Sequence, residues 1–331
     1  MRILFGMVII FGVFVPPLWG EPLKYKGTPH LPGHGQHVVL ISGDEEYRSE
    51  EALVQLGRIL ANRHGFNCTV LFAVNPATGE IDPVCTTNIP DLHVLQTADV
   101  MIVNLRFRNL PDEQMRYFDD YLRSGKPVLG MRTSTHAFRI PKDRKFARYS
   151  FDYHDNTGLW EQGFGRKILG ETWIDHHGHH GHEATRGILV LEKRSHPIVR
   201  GCEDIFGLTD VYRVRLPLPE DSEPLVLGQV LAGMKPTDPP VAGSKNEPMM
   251  PVAWTKTYRI DGGQTGKVFT TTMGSSQDLE SEGLRRLLVN AVYWLAGLET
   301  VEQANVEIVG RYETLPMGFG KHKKGMKPED F

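Results

Sequence analysis

Short apolar runs alternate with segments of helical periodicity through the first half of this chain. His37–Ser42 (HVVLIS) is closed by Gly43 and reads as a buried strand. Behind it, Ser49 and Glu51 precede Leu53, Leu56, Ile59 and Leu60 at helical spacing, which predicts a helix ending at Gly65. Phe66–Phe72 and Ala98–Leu105 read as the second and third strands. Pro111, Asp112 and Glu113 open a helix carrying Met115, Phe118 and Leu122, closed by Gly125, and Pro127–Met131 reads as a fourth strand. This alternation predicts an α/β fold with a parallel sheet and helices on both faces.

The second half is less regular. Gly187–Leu191, Val211–Arg215, Leu225–Leu231, Val252–Thr257 and Lys267–Thr272 read as added strands. Ser281 caps a helix bearing Leu284, Leu287, Leu288, Ala291, Val292 and Leu295, ended by Gly297. Ala232–Pro251, rich in Pro, Gly and Lys, reads as an exposed loop. Residues 1–20 have a different pattern. A basic start at Arg2, an uncharged apolar run over Ile3–Val15, the break at Pro16-Pro17 and the small Gly20 have the layout of a secretory signal peptide. The run falls short of the roughly 20 residues a membrane span needs. The expectation is a secreted or periplasmic protein with no stable membrane insertion of its mature chain. Residues 21–36 read as an N-terminal arm, 37–298 as one α/β domain and 299–331 as a surface tail.

Composition narrows the function classes. The 331 residues carry a net charge of −3, which offers no basic footprint for nucleic acid. Three cysteines are too few for a disulfide scaffold. Cys68 and Cys85 could pair and leave Cys202 over; buried free thiols are the alternative. Whether the chain forms a homo-oligomer is left open. Histidine is the uneven residue: five of the fourteen are His176, His177, His179, His180 and His182.

Ligands of open α/β sheets collect at the carboxyl ends of the strands. Two such ends carry polar side chains here, Ser42–Arg48 and Gly130–Phe138. The second reads as a strand–elbow–helix with Arg132 where a nucleophile elbow places Ser or Cys, and no glycine follows. Arginine is no nucleophile, but it grips carboxylates, phosphates or sugar hydroxyls. A triad built on Ser134 or Thr135 with His136 is sterically awkward, because sequence neighbours rarely face each other.

The segments SGDEEYRSEEAL, DVMIVNLRFRNLP, GMRTSTHAF and PVAWTKTY, with GKVFTTTMGSSQDLESEGLRRLLVNAVYWLAG, together resemble the ThuA-like, or trehalose-utilisation, proteins from about His37 to Gly297. The resemblance implies a flavodoxin-like sheet akin to that of class I glutamine amidotransferases. The chain departs from true amidotransferases at Arg132, which stands in place of the catalytic Cys. The resemblance also implies a link to sugar catabolism, including keto-sugars derived from disaccharides.

Gly178 and Gly181 make the histidine segment a loop. Neutral imidazoles with a carboxylate suit zinc, but HExxH spacing is absent. A metal site, a sugar contact and a solvated tract all remain open readings. The expected site therefore groups Glu46, Arg132, His136 and His177 as catalytic residues. Asp44, Glu45, Tyr47, Arg106, Thr133 and Trp173 are the expected contacts to a small carbohydrate. His176, His177 and His179 are the candidate zinc ligands. The carboxylates after the first strand either cap the next helix or supply a general base. Glu46 or a histidine would move protons while Arg132 holds a sugar or keto-sugar. The competing reading is a non-catalytic carbohydrate- or metal-binding protein. A pocket that gathers Glu46, His136 and a loop histidine favours the enzyme.

Overall fold

A computed structural model describes residues 21–219 and 221–331; the expected signal peptide lies outside the described residues. One mixed ten-stranded sheet runs through the molecule in the order β1-β3-β2-β4-β5-β10-β9-β8-β6-β7. Its parallel centre is β3 (Asn67–Phe72), β2 (His37–Gly43), β4 (Val100–Leu105), β5 (Val128–Met131) and β10 (Gly266–Thr271).

The near-continuous apolar runs arise because both faces of this centre are covered. Along β2, Val38 and Leu40 face one core with Leu53 and Leu56 of α1 (Ser49–His64) and Leu287 of α3 (Glu282–Leu295). Val39 and Ile41 face the other core with Met115, Phe118 and Leu122 of α2 (Asp112–Arg123). The period-two alternation of a strand thus feeds two cores. Ser281 caps α3 as expected, accepting from the Leu284 N–H at 3.3 Å. Among the described residues no helix is long and apolar enough to cross a membrane.

Of the added strands, Lys267–Thr272 falls in β10 and joins the parallel centre. The others that form, β9 (Met250–Tyr258), β8 (Glu223–Val230) and β6 (Thr185–Leu189), extend the same sheet antiparallel, as does β7 (Phe206–Gly207), which the sequence pattern does not predict. The expectation of a parallel sheet therefore holds for its centre only. Val211–Arg215, read as a strand, pairs only through an isolated bridge from Tyr212 to His176. Its apolar residues are buried without a ladder, Val211 in the core under α3 and Val214 with Leu218 and Trp254. The two-residue β7 is too short to leave a periodic signal.

Both terminal segments are more structured than an arm and a surface tail. Leu23–Tyr25 forms β1, an edge strand antiparallel to β3. At the other end, the Phe331 ring stacks on Phe72 with centroids 5.8 Å apart, and Ile81 N–H donates to the Met326 carbonyl at 2.7 Å. Gly318 N–H donates to the Glu46 carbonyl at 2.7 Å, so the tail reaches the loop after β2. Cys68, Cys85 and Cys202 are all free thiols.

Beneath the tail, Glu50 is 5% exposed, and neither of its carboxylate oxygens accepts a hydrogen bond. Arg48 Nη1 lies 3.7 Å away. Burial outweighs that charge and pushes the Glu50 carboxyl up to about 7. A carboxyl raised in the folded state stabilises the protein below its ordinary value, and that contribution is lost as pH rises through about 7. Glu50→Gln removes the titration. Urea denaturation at pH 5 and pH 8 should therefore show the variant gaining on the parent at pH 8. An equal difference at both pH values would contradict the burial argument.

Candidate functional site

The site lies where the carboxyl ends of β2, β4 and β5 meet the histidine loop. After β2, the Asp44 carboxylate turns the chain back by accepting from the N–H groups of Glu46 at 2.7 Å and Tyr47 at 2.9 Å. It also accepts from the Thr133 hydroxyl. This is the Asx-type turn that a short acid makes well. Asp44 and Thr133 are therefore buried supports with no exposed surface for a carbohydrate. Glu45 is held by Arg106 at 2.5 Å and Arg108 at 2.7 Å.

After β5, Arg132 adopts a left-handed backbone with φ of 41°. A non-glycine residue held there costs about 1–3 kcal/mol, which the surroundings must offset. Ser134 Oγ supplies part of that support, donating to the Val103 carbonyl at 2.8 Å and accepting from Leu105 N–H at 3.2 Å. The segment leading to Trp173 closes tightly on this turn: a Cβ on Gly165 would sit 2.0 Å from the Thr135 carbonyl oxygen.

Arg132 does not face a ligand. It is 0% exposed. Its guanidinium donates to Asp210 Oδ1 at 2.8 Å, the Asp210 carbonyl at 2.7 Å, the Thr272 carbonyl at 2.8 Å and the Tyr47 hydroxyl at 3.1 Å. It lies 3.7 Å from the Tyr212 ring centroid and 4.5 Å from that of Tyr47. The planar cation fits between two aromatic faces while its edge satisfies acceptors. Arg132 is thus a positioning residue for Asp210 and Tyr47, rather than the hand that grips substrate.

Asp210 is the residue that sequence reading missed. Its Oδ2 pairs with His176 Nδ1 at 2.7 Å, and its Oδ1 with His180 Nδ1 at 3.0 Å. Burial opposes ionisation of Asp210; the Arg132 charge and the two histidine hydrogen bonds override it and hold the carboxyl well below the usual range. The Asp210 hydrogen bond in turn raises His180. Glu46 Oε1 lies 3.5 Å from His180 Nε2 and its Oε2 3.5 Å from Arg106 Nε. Burial first, and the Asp44 charge second, raise the Glu46 carboxyl.

The remaining expected residues separate. His136 is buried among the rings of Phe107, Trp173 and Tyr212 at 4.9, 5.3 and 6.2 Å. Burial, then the charges of Arg106 and Arg132, lower it well below its ordinary value, so it stays neutral. His177 turns away and bonds the Lys245 carbonyl at 3.0 Å. The His179 ring packs on His182 at 4.3 Å. Of the three expected zinc ligands, only His176 joins the group that could hold a metal, which is His176, His180 and Asp210. Arg106 and Trp173 are half-buried at the opening of the site, whereas Glu46 is buried, at 8% exposure. Phe319 of the tail stands at its rim, 59% exposed and with its ring centroid 4.9 Å from Arg106 Cζ.

Fold and site together define an α/β protein whose sheet gathers, at its carboxyl edge, an acid, two histidines and several aromatic rings, with Arg132 rather than Ser or Cys at the centre of the elbow. The profile of the ThuA family, described as trehalose utilisation, matches residues 37–295. The chain belongs to this family. Among solved structures it is similar to a ThuA-like protein from Parabacteroides merdae, at 15% identity over 86% of this chain and 98% of that one, with a TM-score of 0.47. A ThuA-like protein from Bacteroides uniformis is similar at 15% identity, over 84% and 99%, with a TM-score of 0.46. No curated protein matches the chain.

Proposed function

We propose that this protein acts on a sugar or keto-sugar outside the cytoplasm, by acid–base chemistry in the crevice between Glu46 and the Asp210-anchored histidines. The observation that carries this reading is the convergence of Glu46 and His180 at 3.5 Å, beside the partly open Arg106 and Trp173. The parallel strand order of the sheet centre supports a flavodoxin-like arrangement, in which such a crevice is the ordinary ligand site. The signal-like residues 1–20 support export.

A keto group acidifies the neighbouring C–H. Glu46, as carboxylate, takes that proton, and the electron pair moves into an enolate whose oxygen is stabilised by the Nε2–H of His180 as imidazolium, the form that the Asp210 hydrogen bond favours. Return of the proton to the neighbouring carbon gives isomerisation. Departure of a β-linked oxygen, which takes up a proton, gives elimination. The ring faces of Trp173 and Phe319 suit the C–H surface of a pyranose. Asp210 holds each imidazole by Nδ1 and so sets which nitrogen faces the ligand.

The test is a screen of disaccharides and their 3-keto derivatives with the purified mature chain, read by product chromatography. Turnover of a keto-disaccharide is expected, with unoxidised disaccharides left intact. Saturable binding of sugars without turnover would instead establish the non-catalytic carbohydrate-binding reading.

A further inference from the structure

Three side chains, separated in sequence, bring ligand-type atoms within 4.8 Å of one another: His176, His180 and Asp210. The two imidazoles meet the two oxygens of one carboxylate: Asp210 Oδ2 lies 2.7 Å from His176 Nδ1, and Oδ1 lies 3.0 Å from His180 Nδ1. Tetrahedral zinc with bonds of about 2.0–2.2 Å places its ligand atoms about 3.3 Å apart. An ion taken up here would replace the two Nδ1 hydrogen bonds to Asp210, and each nitrogen would draw back from its oxygen by a few tenths of an ångström. Two imidazoles and one carboxylate form the donor set of open, catalytic-type zinc sites. The arrangement also has the outer support that metal-binding carboxylates ordinarily carry, because Arg132 holds Asp210 by both its side chain and its carbonyl. Access is available: the His176 and His180 side chains are each 36% exposed above a fully buried Asp210 side chain.

We infer that His176, His180 and Asp210 form a site for one divalent transition-metal ion, with a coordination position left for a crevice ligand beside Glu46. The Arg132 cation opposes the ion, while Glu46 and Asp210 offset it, so the site suits an exchangeable ion rather than a permanently trapped one. When bound, such an ion would act as a Lewis acid on a carbonyl or hydroxyl oxygen. The inference stands on geometry and does not require the sugar reading.

The neighbouring histidines make the test selective. The mature chain, free of any affinity tag and stripped by a chelator, is titrated with Co2+ and with Zn2+. Calorimetry gives the stoichiometry, and the visible cobalt bands report coordination. One equivalent is expected, with half-saturation below about 100 μM. His176→Ala and His180→Ala should each weaken binding at least about tenfold. Both residues are partly exposed, so these variants keep the fold, which circular dichroism verifies. The combined variant His177→Ala, His179→Ala, His182→Ala should bind as the parent does. Less than one equivalent, or loss of binding in the triple variant with retention in the first two, would overturn the site and assign metal uptake to an adventitious histidine tract. Neither result depends on sugar turnover, so failure of this inference is separate from failure of the proposed activity.

Discussion

Arg132→Met is expected to destabilise the fold by about 3–5 kcal/mol, read by urea denaturation. The pair it breaks has both side chains at 0% exposure. Methionine fills much of the space between Tyr47 and Tyr212 but leaves the Asp210 carboxylate without its cation. The Asp210 and Thr272 carbonyl oxygens also lose their donor. A buried acceptor left unpaired carries the full cost of its lost hydration. The double variant Arg132→Met, Asp210→Asn should recover part of the loss, because the stranded charge is then gone. A single variant within about 0.5 kcal/mol of the parent would show that Arg132 does not hold the site together.

Glu46→Gln is expected to lower kcat by about 10²–10⁴-fold on whichever keto-sugar the screen identifies, with a far smaller change in KM. Glutamine keeps the shape of the side chain and removes the base. The contrast with Arg132→Met is informative: loss of Glu46 should leave stability nearly intact, because its partners Arg106 and His180 keep access to water. If kcat were unchanged, Glu46 would be a structural acid, and the proton would have to move through the histidine pair.

The site was only partly legible along the chain. Glu46 stands out because it follows a strand end, and Arg106 and Trp173 because charged and aromatic residues there have few other tasks. The histidine loop is conspicuous by density, but density ranks its members wrongly. His177 and His180 are chemically identical in the sequence, yet one meets the Lys245 carbonyl and the other meets Asp210 and Glu46. Loop direction decides this, and two glycines in the loop remove any regular period that could be read. Asp210 carries no local signal at all. It lies before an apolar run that resembles a strand, and its role exists only because Arg132, 78 residues away, needs an anion in the core.

Local pattern alone determined the strands of the sheet centre and the three α-helices of the described residues, because these depend on backbone periodicity. Tertiary structure alone decided the rest. It turned an arm into an edge strand, laid the tail against Glu51 and Arg58 of α1, and set β9, β8 and β6 antiparallel while leaving β10 in the parallel centre. It also drew Arg132 inward, away from any ligand. The physical reason is the same in each case: burial cost and partner supply are set by what the fold brings into contact, and those partners lie far apart along the chain.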